Sequence, residues 1–358
     1  MHREGTPAQR PPASPHGLTF SWAEVLGPLT AGDDLTTDQA AAAMTEILSG
    51  NATSAQIAGF IVGLRMKGET VDEMAGLLSA MQDASESVPL ADVDGIIDTC
   101  GTGGDRSHSI NVSTIAAFVV AGAGTKVCKH GNRAASSACG SADLLEALGV
   151  AIELTPAAVA ECVATAGIGF CYAPRFHPAM RHAGPTRGEL GVPTVFNFLG
   201  PLANPARVRR QVLGVSDSRM AEKMAGVLKA RGSERALVVW GHDGLDELTT
   251  TTSSTVVELG EDGELRRYEL DPAAHGISRA DPSALRGGDA TANATAARAV
   301  LAGEPGPHRD IVVLNAAAAL IAGGVVPDLA EGLSTAAAAI DDGRAARTLE
   351  QLVDVSNR

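Results

Sequence analysis

The feature that most constrains the fold is a change of pattern at Val88-Pro89. From residue 20 to about residue 86 the chain is a run of short helical patterns, with no strand pattern between them. After residue 89, short apolar runs alternate with helical patterns, and glycine- or hydroxyl-rich loops follow several of the runs. Such alternation predicts a sheet covered by helices, with functional loops at the carboxyl ends of the strands.

The chain is therefore predicted to form a small N-terminal all-α domain, 19–90, and a larger α/β domain, 91–358, with a mixed, largely parallel central sheet. The predicted strands are 96–100, 125–129, 150–154, 211–215, 235–240, 255–259 and 265–270. The predicted helices of the larger domain are 114–123, 142–148, 219–230, 289–301, 308–322 and 329–341. Residues 1–18, rich in Pro, Ser and Gly, are predicted to be a flexible tail.

The helical region carries an apolar face. Thr70 and Glu73 form a capping-box pattern, in which each side chain bonds the backbone N–H of the other residue. Apolar residues then repeat at helical spacing between 74 and 81. The face that they form needs a partner, and core packing and a subunit interface are both open as its use.

The charge balance argues against several classes of function. The 358 residues include 28 Lys and Arg against 42 Asp and Glu, a formal charge of -14, and 3% are aromatic. A chain this acidic repels nucleic acid and anionic lipid, and it offers few rings for stacking on bases, so no nucleic-acid partner is expected. The longest uncharged apolar stretch, near 115–124, is too short to span a bilayer, so no membrane is expected.

The cysteines and the N-terminus bear on the cellular compartment. The five cysteines, at 100, 128, 139, 162 and 171, are spaced neither as zinc ligands nor as a disulfide framework. We expect them to be buried thiols in a reducing cytoplasm. The N-terminal stretch lacks the apolar segment of a secretory signal, and a cytoplasmic location is therefore predicted.

Three loops after predicted strands are suited to anions. Gly101-Thr-Gly-Gly-Asp105 lets backbone N–H groups approach an anion closely, although a tight turn would use the same residues. Asn111-Val-Ser-Thr114 leads into an apolar helix, where Ser113 or Thr114 would by default cap the helix, and the same geometry suits a phosphate. Residues 129–137, with Ser141 beyond them, combine Lys, Arg and several hydroxyls, which favours phosphate binding.

Two further stretches carry charged candidates. Asp246 and Glu247 follow a later strand; alone they are typical of a solvated surface, but beside a polyanion site they are the oxygen ligands that Mg²⁺ prefers. The connector between 173 and 205 is rich in Pro, Asn and Gly. Its Arg175 and Arg187 could equally be ordinary salt-bridge partners.

Together these motifs closely resemble the anthranilate phosphoribosyltransferase family over about residues 20–355. The resemblance implies a fold like those of the nucleoside phosphorylases and phosphoribosyltransferases, with part of 185–205 packed on the helical domain and a homodimer formed through that domain. It also implies Mg²⁺-dependent transfer of the phosphoribosyl group of 5-phosphoribosyl 1-diphosphate to the amine of anthranilate, in tryptophan biosynthesis. The motifs are Gly101-Thr-Gly-Gly-Asp105, Asn111-Val-Ser-Thr114, 129–137 with Gly140-Ser-Ala-Asp143, Phe176-His-Pro-Ala-Met180, Arg187-Gly-Glu-Leu-Gly191 and Asp246-Glu247.

The resemblance also implies roles for individual residues. Mg²⁺ would be held by Ser113, Asp246 and Glu247. Anthranilate would lie against Gly101, His130, Asn132 and Arg187, with Arg187 pairing with its carboxylate and either His130 or solvent accepting the amine proton. The phosphoribosyl diphosphate would be bound by Gly101, Gly104, Asp105, Ser109, Asn111, Val112, Ser113, Thr114, Lys129, His130, Gly131, Asn132, Arg133, Ala134, Ala135, Ser136, Ser137 and Ser141.

Two other functions stay open at this point. A pyrimidine nucleoside phosphorylase has a similar two-domain plan, but its glycine loop differs from Gly101-Thr-Gly-Gly-Asp105 and it lacks the Asp246-Glu247 pair. A nucleic-acid-binding relative without transferase activity would carry a basic surface, which the charge of -14 opposes.

Overall fold

The computed structural model describes residues 20–134 and 138–358. The predicted flexible tail, 1–18, and the predicted binders Ala135, Ser136 and Ser137 lie outside the described residues. The described chain begins with four helices: α1 (Trp22–Ala31), α2 (Thr37–Leu48), α3 (Ser54–Lys67) and α4 (Val71–Asp83).

Strands and helices then alternate, as the pattern after residue 89 predicts. The first half contains β1 (Ile97–Gly101), α5 (Val112–Gly122), β2 (Val127–Gly131), α6 (Ser141–Leu148), α7 (Pro156–Ala166), β3 (Ile168–Tyr172), α8 (Ala173–Phe176), α9 (Gly184–Leu190) and α10 (Val195–Leu202). The second half contains β4 (Arg210–Gly214), α11 (Ser218–Ala230), β5 (Arg235–Gly241), β6 (Ser254–Leu259), β7 (Leu265–Leu270), α12 (Ala290–Leu301), α13 (Pro307–Ala322), α14 (Leu329–Asp341) and α15 (Arg344–Ser356). Short 3₁₀ turns lie at Pro178–His182, Pro272–His275 and Pro282–Leu285.

The seven strands form one sheet in the order β3-β2-β1-β4-β5-β6-β7. The pairs from β3 to β5 are parallel, and β6 and β7 add antiparallel. This confirms the predicted mixed, largely parallel sheet. The chain passes outward from β1 to β3 on one side and from β4 to β5 on the other, so the strand order reverses between β1 and β4. Ligands of open α/β sheets bind at such a reversal.

The predicted strand at 150–154 is wrong. Val150 and Ile152 are buried and their neighbours are less so, which mimics a strand, but the segment joins α6 to α7 without pairing to the sheet. The side chain of Ser356 in α15 accepts a hydrogen bond from the N–H of Ala151 at 3.1 Å, so a helix satisfies this backbone. The strand at this edge is β3, which pairs in parallel with β2.

The N-terminal helices do not pack by themselves. Side chains of α1 to α4, such as Phe60 and Leu77, share one apolar cluster with Phe198 of α10, Met224 of α11 and one face of the sheet. A second cluster, with α5 and α13, covers the other face. The apolar face of the helical region is thus used at least in part for core packing. The domain bounds 19–90 and 91–358 stay a prediction.

Capping residues in the sequence mark the start of several helices. The capping box of Thr70 and Glu73 is present, with Thr70 N–H donating to Glu73 Oε2 at 2.8 Å and Glu73 N–H donating to Thr70 Oγ1 at 3.2 Å. Similar boxes begin α2 at Thr36 and α3 at Thr53. Within the described part of the chain, no helix has the length and apolar character to cross a membrane.

Candidate active site

A cleft with a volume of about 360 Å³ opens beside the point where the strand order reverses. That volume suits a small-molecule site. Of the predicted site residues that the structure describes, Thr114 alone does not line it. Those that do are Gly101, Gly104, Asp105, Ser109, Asn111, Val112, Ser113, Lys129, His130, Gly131, Asn132, Arg133, Ala134, Ser141, Arg187, Asp246 and Glu247.

Two glycines let the loop that carries Asp246 lie directly over the strand ends. Gly101, at the end of β1, pairs with Gly214, at the end of β4. A Cβ atom added to Gly214 would overlap the carbonyl oxygen of Asp246, and one added to Gly101 would overlap its carboxylate. Neither glycine has a positive φ. The close approach of the acidic loop therefore requires glycine at both positions.

The carboxylates of Asp246 and Glu247 connect this acidic loop by hydrogen bonds to two of the predicted anion-binding loops. Asp246 Oδ2 accepts a hydrogen bond from the N–H of Gly103 at 2.7 Å, and Glu247 Oε1 accepts one from the N–H of Ser113 at 3.1 Å. Burial, reinforced by the charge of Asp105, raises the pKa of Asp246 to about 6. Burial, reinforced by the charge of Asp246, raises the pKa of Glu247 to about 8. The site is thus short of positive charge.

Ser113, Asp246 and Glu247 fit Mg²⁺. This ion takes hard oxygen ligands and is held by one or two carboxylates together with substrate phosphates. A bound cation would offset the repulsion and desolvation that raise the two carboxyl pKa values. Across 20–134 and 138–358, no group of three or more His, Cys, Asp or Glu side chains is arranged to hold a metal.

Lys129 is buried beneath the cleft. Its side chain is 2% exposed, and its Nζ donates to the carbonyl oxygen of Thr99 and lies 3.4 Å from Ser113 Oγ. Attraction to Lys129 lowers the pKa of Glu247, although burial raises it by more. Lys129 therefore places a positive charge between the acidic pair and the start of α5.

The first glycine loop has a strained backbone. Gly103 and Gly104 have φ values of 65° and 80°, and the non-glycine residues Arg106 and His108 have φ values of 59° and 54°. Such values in non-glycine residues cost free energy and concentrate at ligand sites. The glycines make the turn possible, and the residues beside them accept strain to keep the loop over the cleft.

The predicted hydroxyl cap of α5 is wrong. The N-cap residue is Asn111, and its side chain makes no capping bond. Its amide donates to the carbonyl oxygen of Cys139 at 3.0 Å and accepts from Asn293 at 2.8 Å, which joins α5 to the following loop and to α12. The Thr114 hydroxyl donates to Ser141 Oγ at 3.0 Å, so Thr114 lies behind a lining residue rather than in the cleft lining itself.

Arg133 lines the cleft, but its guanidinium is already paired with neighbouring side chains. The guanidinium pairs with Asp143 at 3.1 Å and with Glu146, and its Nε donates to the Tyr172 hydroxyl at 3.1 Å. Asp143 Oδ2 also accepts from the N–H groups of Ala134 and Gly140 at 3.0 and 2.8 Å. Arg133 and Asp143 thus hold both ends of the loop between β2 and α6.

Arg187, on α9, is a half-buried cation at the cleft. Its guanidinium lies 4.9 Å from the ring centroid of Phe196, and burial lowers its pKa. Among the described residues, no carboxylate or carbonyl accepts a hydrogen bond from this guanidinium. A half-buried cation without an acidic partner is stabilised by an opposite charge, so the position favours an anionic ligand. The second arginine candidate of the connector, Arg175, instead pairs with Glu86 at 2.6 Å.

His130 is held as a neutral imidazole. Its Nδ1 lies 3.1 Å from the carbonyl oxygen of Gly200, which can only accept, so Nδ1 carries the proton. Nε2 is buried and has no partner in the described part of the protein. Burial lowers the pKa of His130 to about 3, helped by His177, whose ring centroid is 5.1 Å away. His130 therefore presents a lone pair at Nε2.

The buried histidines make stability depend on pH. Burial lowers the pKa of His177 to about 4 from an ordinary 6.5. Between these values the unfolded chain binds a proton that the folded chain does not, so stability present above pH 6.5 is lost as the pH falls toward 4. For His177→Asn, we expect the fall in unfolding free energy from pH 7 to pH 5 to be about 1.5 to 2 kcal/mol smaller than in the wild type.

Urea unfolding at the two pH values measures this difference. His275→Asn is the matched control, because its side chain is exposed in the folded protein. The expectation fails when His177→Asn and the wild type lose the same free energy of unfolding on acidification.

Part of the lining was not predicted from the sequence. Thr102, Gly103 and Gly140 lie in predicted motifs without an individual role, and the residues outside the motifs are Cys100, Ser107, His108, Ile110, Cys139, Ala173, Asn197, Gly200 and Pro201. Most are neighbours of predicted residues. Asn197, Gly200 and Pro201 are different, because they lie on α10, whose Gly200 carbonyl accepts a hydrogen bond from His130 of β2. The sequence signal for these three residues was the Pro-, Asn- and Gly-rich composition of the connector. Composition does not show where a residue lies in the fold.

The chain matches two family models. The one described as "Glycosyl transferase family, a/b domain" matches residues 93–346, and the one described as "Glycosyl transferase family, helical bundle domain" matches residues 23–85.

Similar whole proteins share one name. Anthranilate phosphoribosyltransferase of Salinispora arenicola is 54% identical over 94% of this chain and 97% of its own length, and that of Chloroflexus aggregans is 53% identical over 93% and 98%. The crystal structure of the Thermus thermophilus enzyme superposes with a TM-score of 0.88 at 42% identity, covering 93% of this chain and 99% of that one. The Saccharomyces cerevisiae enzyme in complex with PRPP and Mg gives 0.86 at 29% identity, covering 94% and 98%.

Proposed function

This chain belongs to the anthranilate phosphoribosyltransferases, and from that premise we propose how its residues share the reaction. The enzyme transfers the phosphoribosyl group of 5-phosphoribosyl 1-diphosphate to the amine of anthranilate, giving N-(5-phosphoribosyl)anthranilate and diphosphate in tryptophan biosynthesis. The C1–O bond to diphosphate breaks and a C1–N bond forms. One observation carries the assignment of roles: a single cleft joins the anion loops to the half-buried Arg187, which has no acceptor among the described residues.

The diphosphate binds where the three loops converge. Lys129 supplies a buried positive charge, and the loop N–H groups and the Ser109 and Ser141 hydroxyls supply donors around it. The amine is a weak nucleophile, and departure of diphosphate leaves positive charge on the sugar. Alignment and electrostatic stabilisation therefore dominate catalysis, and the donors are already in place before the substrate arrives.

The enzyme depends on Mg²⁺. Ser113, Asp246 and Glu247 would hold the ion at the edge of the cleft, and the ion, when bound, neutralises negative charge on the leaving diphosphate. The hydrogen bonds from Gly103 and Ser113 orient the two carboxylates toward the same side of the cleft as the anion loops.

Anthranilate binds at the other end, against Gly101, His130, Asn132 and Arg187. Its carboxylate pairs with the Arg187 guanidinium, which the Phe196 ring holds in place. The amine would then point toward C1 of the ribose. His130 lines the cleft, has a pKa of about 3, and its unprotonated Nε2 has no partner among the described residues, so His130 is the acceptor that we propose for the proton that the amine loses after attack. A base with so low a pKa takes a proton only from a strongly acidic ammonium, as an N-protonated arylamine is.

Arg187→Ala is expected to raise the KM for anthranilate by about tenfold to a hundredfold, the loss of a charge-assisted bidentate pair. The KM for phosphoribosyl diphosphate is expected to stay within a factor of about three. Steady-state kinetics with each substrate varied in turn measures both values. Arg181→Ala, at an exposed arginine of the same connector, is the control, and equal changes in the two KM values for Arg187→Ala would contradict the carboxylate role.

The function itself is tested by the loss of anthranilate fluorescence. The signal is expected to fall only when phosphoribosyl diphosphate and Mg²⁺ are both present. Thymidine with inorganic phosphate, the substrates of a pyrimidine nucleoside phosphorylase, is expected to give no product. A phosphorolysis product together with unchanged anthranilate fluorescence would overturn the assignment.

The protein is proposed to be a cytoplasmic homodimer that associates through its helical region. Met66, at the end of α3, is 84% exposed and Val192, just after α9, is 55% exposed. The helices α3 and α9 contact each other, so these exposed apolar side chains lie on neighbouring elements and are candidates for the interface. Light scattering at several protein concentrations tests the dimer, and Met66→Glu is expected to weaken it.

A further inference from the structure

A buried asparagine forms hydrogen bonds with the backbone next to Asp246 and Glu247. Asn315, in the middle of α13, is 3% exposed. Its Oδ1 accepts from the N–H of Leu248 at 3.0 Å, and its Nδ2 donates to the carbonyl oxygen of Leu248 at 2.8 Å. The same Nδ2 also donates to the carbonyl oxygen of Ile311 at 2.9 Å, one turn earlier in α13. One side-chain amide thus binds both backbone polar groups of Leu248 and is itself held by its own helix.

The hydrogen bond to the Leu248 N–H also constrains Glu247. The N–H of Leu248 belongs to the peptide unit that joins it to Glu247, so the bond from Asn315 sets the plane of that peptide. The Leu248 side chain is 1% exposed and packs in the core, which prevents the segment from sliding. The rotation of the Glu247 backbone is therefore determined from α13, 67 residues further along the chain.

The carboxylate of Glu247 is held from a second side. Ser113, in the first turn of α5, donates its N–H to Glu247 Oε1. The helices α5 and α13 contact each other, and α13 also contacts β1, β4 and β5. Thr99, Ser113, Glu247 and Asn315 line one small void behind the cleft. The backbone and the carboxylate of Glu247 are therefore fixed by two helices that pack as one unit.

We propose that Asn315 is a positioning residue for the Mg²⁺-dependent diphosphate site, acting through Leu248 on Glu247 and Asp246. Asn315 does not line the substrate cleft. Its role is to keep the two carboxylates in the geometry in which they meet the ion and the leaving group. Partners that orient a metal-binding carboxylate contribute strongly to metal affinity. The inference rests on the proposed assignment of Glu247 and Asp246 to Mg²⁺.

The main test replaces Asn315 with Leu, which has a similar shape but no hydrogen-bonding group. The Leu248 N–H and carbonyl then lose their partners. Mg²⁺ is titrated by calorimetry into enzyme saturated with phosphoribosyl diphosphate, without anthranilate, so that no turnover occurs. The Mg²⁺ dissociation constant is expected to rise about tenfold to a hundredfold. In steady-state kinetics the Mg²⁺ activation constant is expected to rise in parallel, while the KM for anthranilate stays near the wild-type value.

A second measurement follows the segment itself. Amide hydrogen exchange around Leu248 is expected to quicken in the metal-free variant, while exchange in β4 and β5 stays slow. Should the leucine variant fail to fold, Asn315→Ser carries the same measurements, because its hydroxyl is too short to reach both backbone groups. A folded Asn315 variant with wild-type Mg²⁺ affinity overturns the proposal.

Two reference variants separate the possible causes. Leu314→Ala removes a fully buried side chain from the neighbouring position of α13 and destabilises the fold without removing a hydrogen bond of Leu248. It is expected to keep the wild-type Mg²⁺ dissociation constant; a rise equal to that of Asn315→Leu would show an effect of stability alone and overturn the proposal. Glu247→Gln is expected to lose Mg²⁺ affinity. Unchanged affinity in Glu247→Gln refutes the metal role itself, whereas a loss there with none in Asn315→Leu refutes the positioning role only.

Discussion

Replacing Asp246 with Asn and Glu247 with Gln is expected to lower kcat/KM for phosphoribosyl diphosphate by about a thousandfold or more. The amide oxygens can still accept from the N–H groups of Gly103 and Ser113, so the loop keeps its anchors. What is lost is the pair of negative oxygens that hold Mg²⁺ against the leaving diphosphate. Activity measured across a Mg²⁺ titration gives the effect, and a wild-type response to the ion would contradict the assignment.

The same variant separates loss of function from loss of fold. In the metal-free wild type both carboxyl pKa values, about 6 and about 8, lie above the ordinary values of 3.8 and 4.5. The stability that the protonated carboxyls contribute is therefore lost as the pH rises through 6 and 8. The amide variant lacks this titration, so its free energy of unfolding is expected to fall less between pH 5 and pH 8, as urea unfolding can show.

The control for charge is Asp262→Asn with Glu264→Gln, at the exposed turn between β6 and β7. It changes the net charge by the same amount and breaks only an exposed ion pair with Arg266. Such pairs contribute little to stability. We expect this control to keep wild-type activity and Mg²⁺ response.

Of all glycine-to-alanine substitutions, each of which adds one methyl group, Gly214→Ala is expected to damage the protein most. The new Cβ would overlap the carbonyl oxygen of Asp246, which is backbone and cannot rotate away. The acidic loop must move off the strand ends, and a displacement of about 1 Å at a catalytic group costs about a hundredfold in rate. Overpacking is expected to lower the free energy of unfolding by about 1 to 3 kcal/mol as well.

Gly59→Ala is the matched control for this variant. Gly59 lies inside α3, and outside its own helix and chain neighbours a Cβ added there would meet only the Leu26 side chain, at an ordinary contact distance of 3.7 Å. Alanine favours helix over glycine, so the control is expected to be neutral or slightly stabilising. Measurements of kcat/KM and urea unfolding compare the two alanine variants. Wild-type activity in Gly214→Ala would show that the acidic loop does not depend on its close approach to β4.

Much of the fold follows from local signals. The helical region up to 86, the alternation after 89 and the capping box at Thr70 are all recognisable in short windows of sequence, because caps and periodicity involve residues within one or two turns. The failure at 150–154 has the opposite cause. Its apolar alternation is real, but its backbone is satisfied by Ser356, more than 200 residues away in sequence.

The candidate site was likewise predictable from the sequence only in part. Loop composition indicated anion binding at 101–105 and 129–137, and the cleft contains the described residues of both loops. Composition could not distinguish Arg187 from Arg175. The structure shows Arg175 paired with Glu86, and it shows the half-buried Arg187 over the Phe196 ring with no acceptor in the described chain. Nor could composition show that the Arg133 guanidinium is taken up by Asp143 and Glu146.

The sequence by itself determined the chemical inventory and the local backbone: which loops carry glycines, hydroxyls, a lysine and two adjacent carboxylates, and which strands precede them. Only the tertiary structure decided how these groups act, because their pKa values and partners depend on burial and on contacts between distant segments. Glu247 meets Ser113 across 134 positions, and Asn315 reaches Leu248 across 67. Such contacts arise when the sheet brings its strand ends to one edge, and no short window of sequence contains that information.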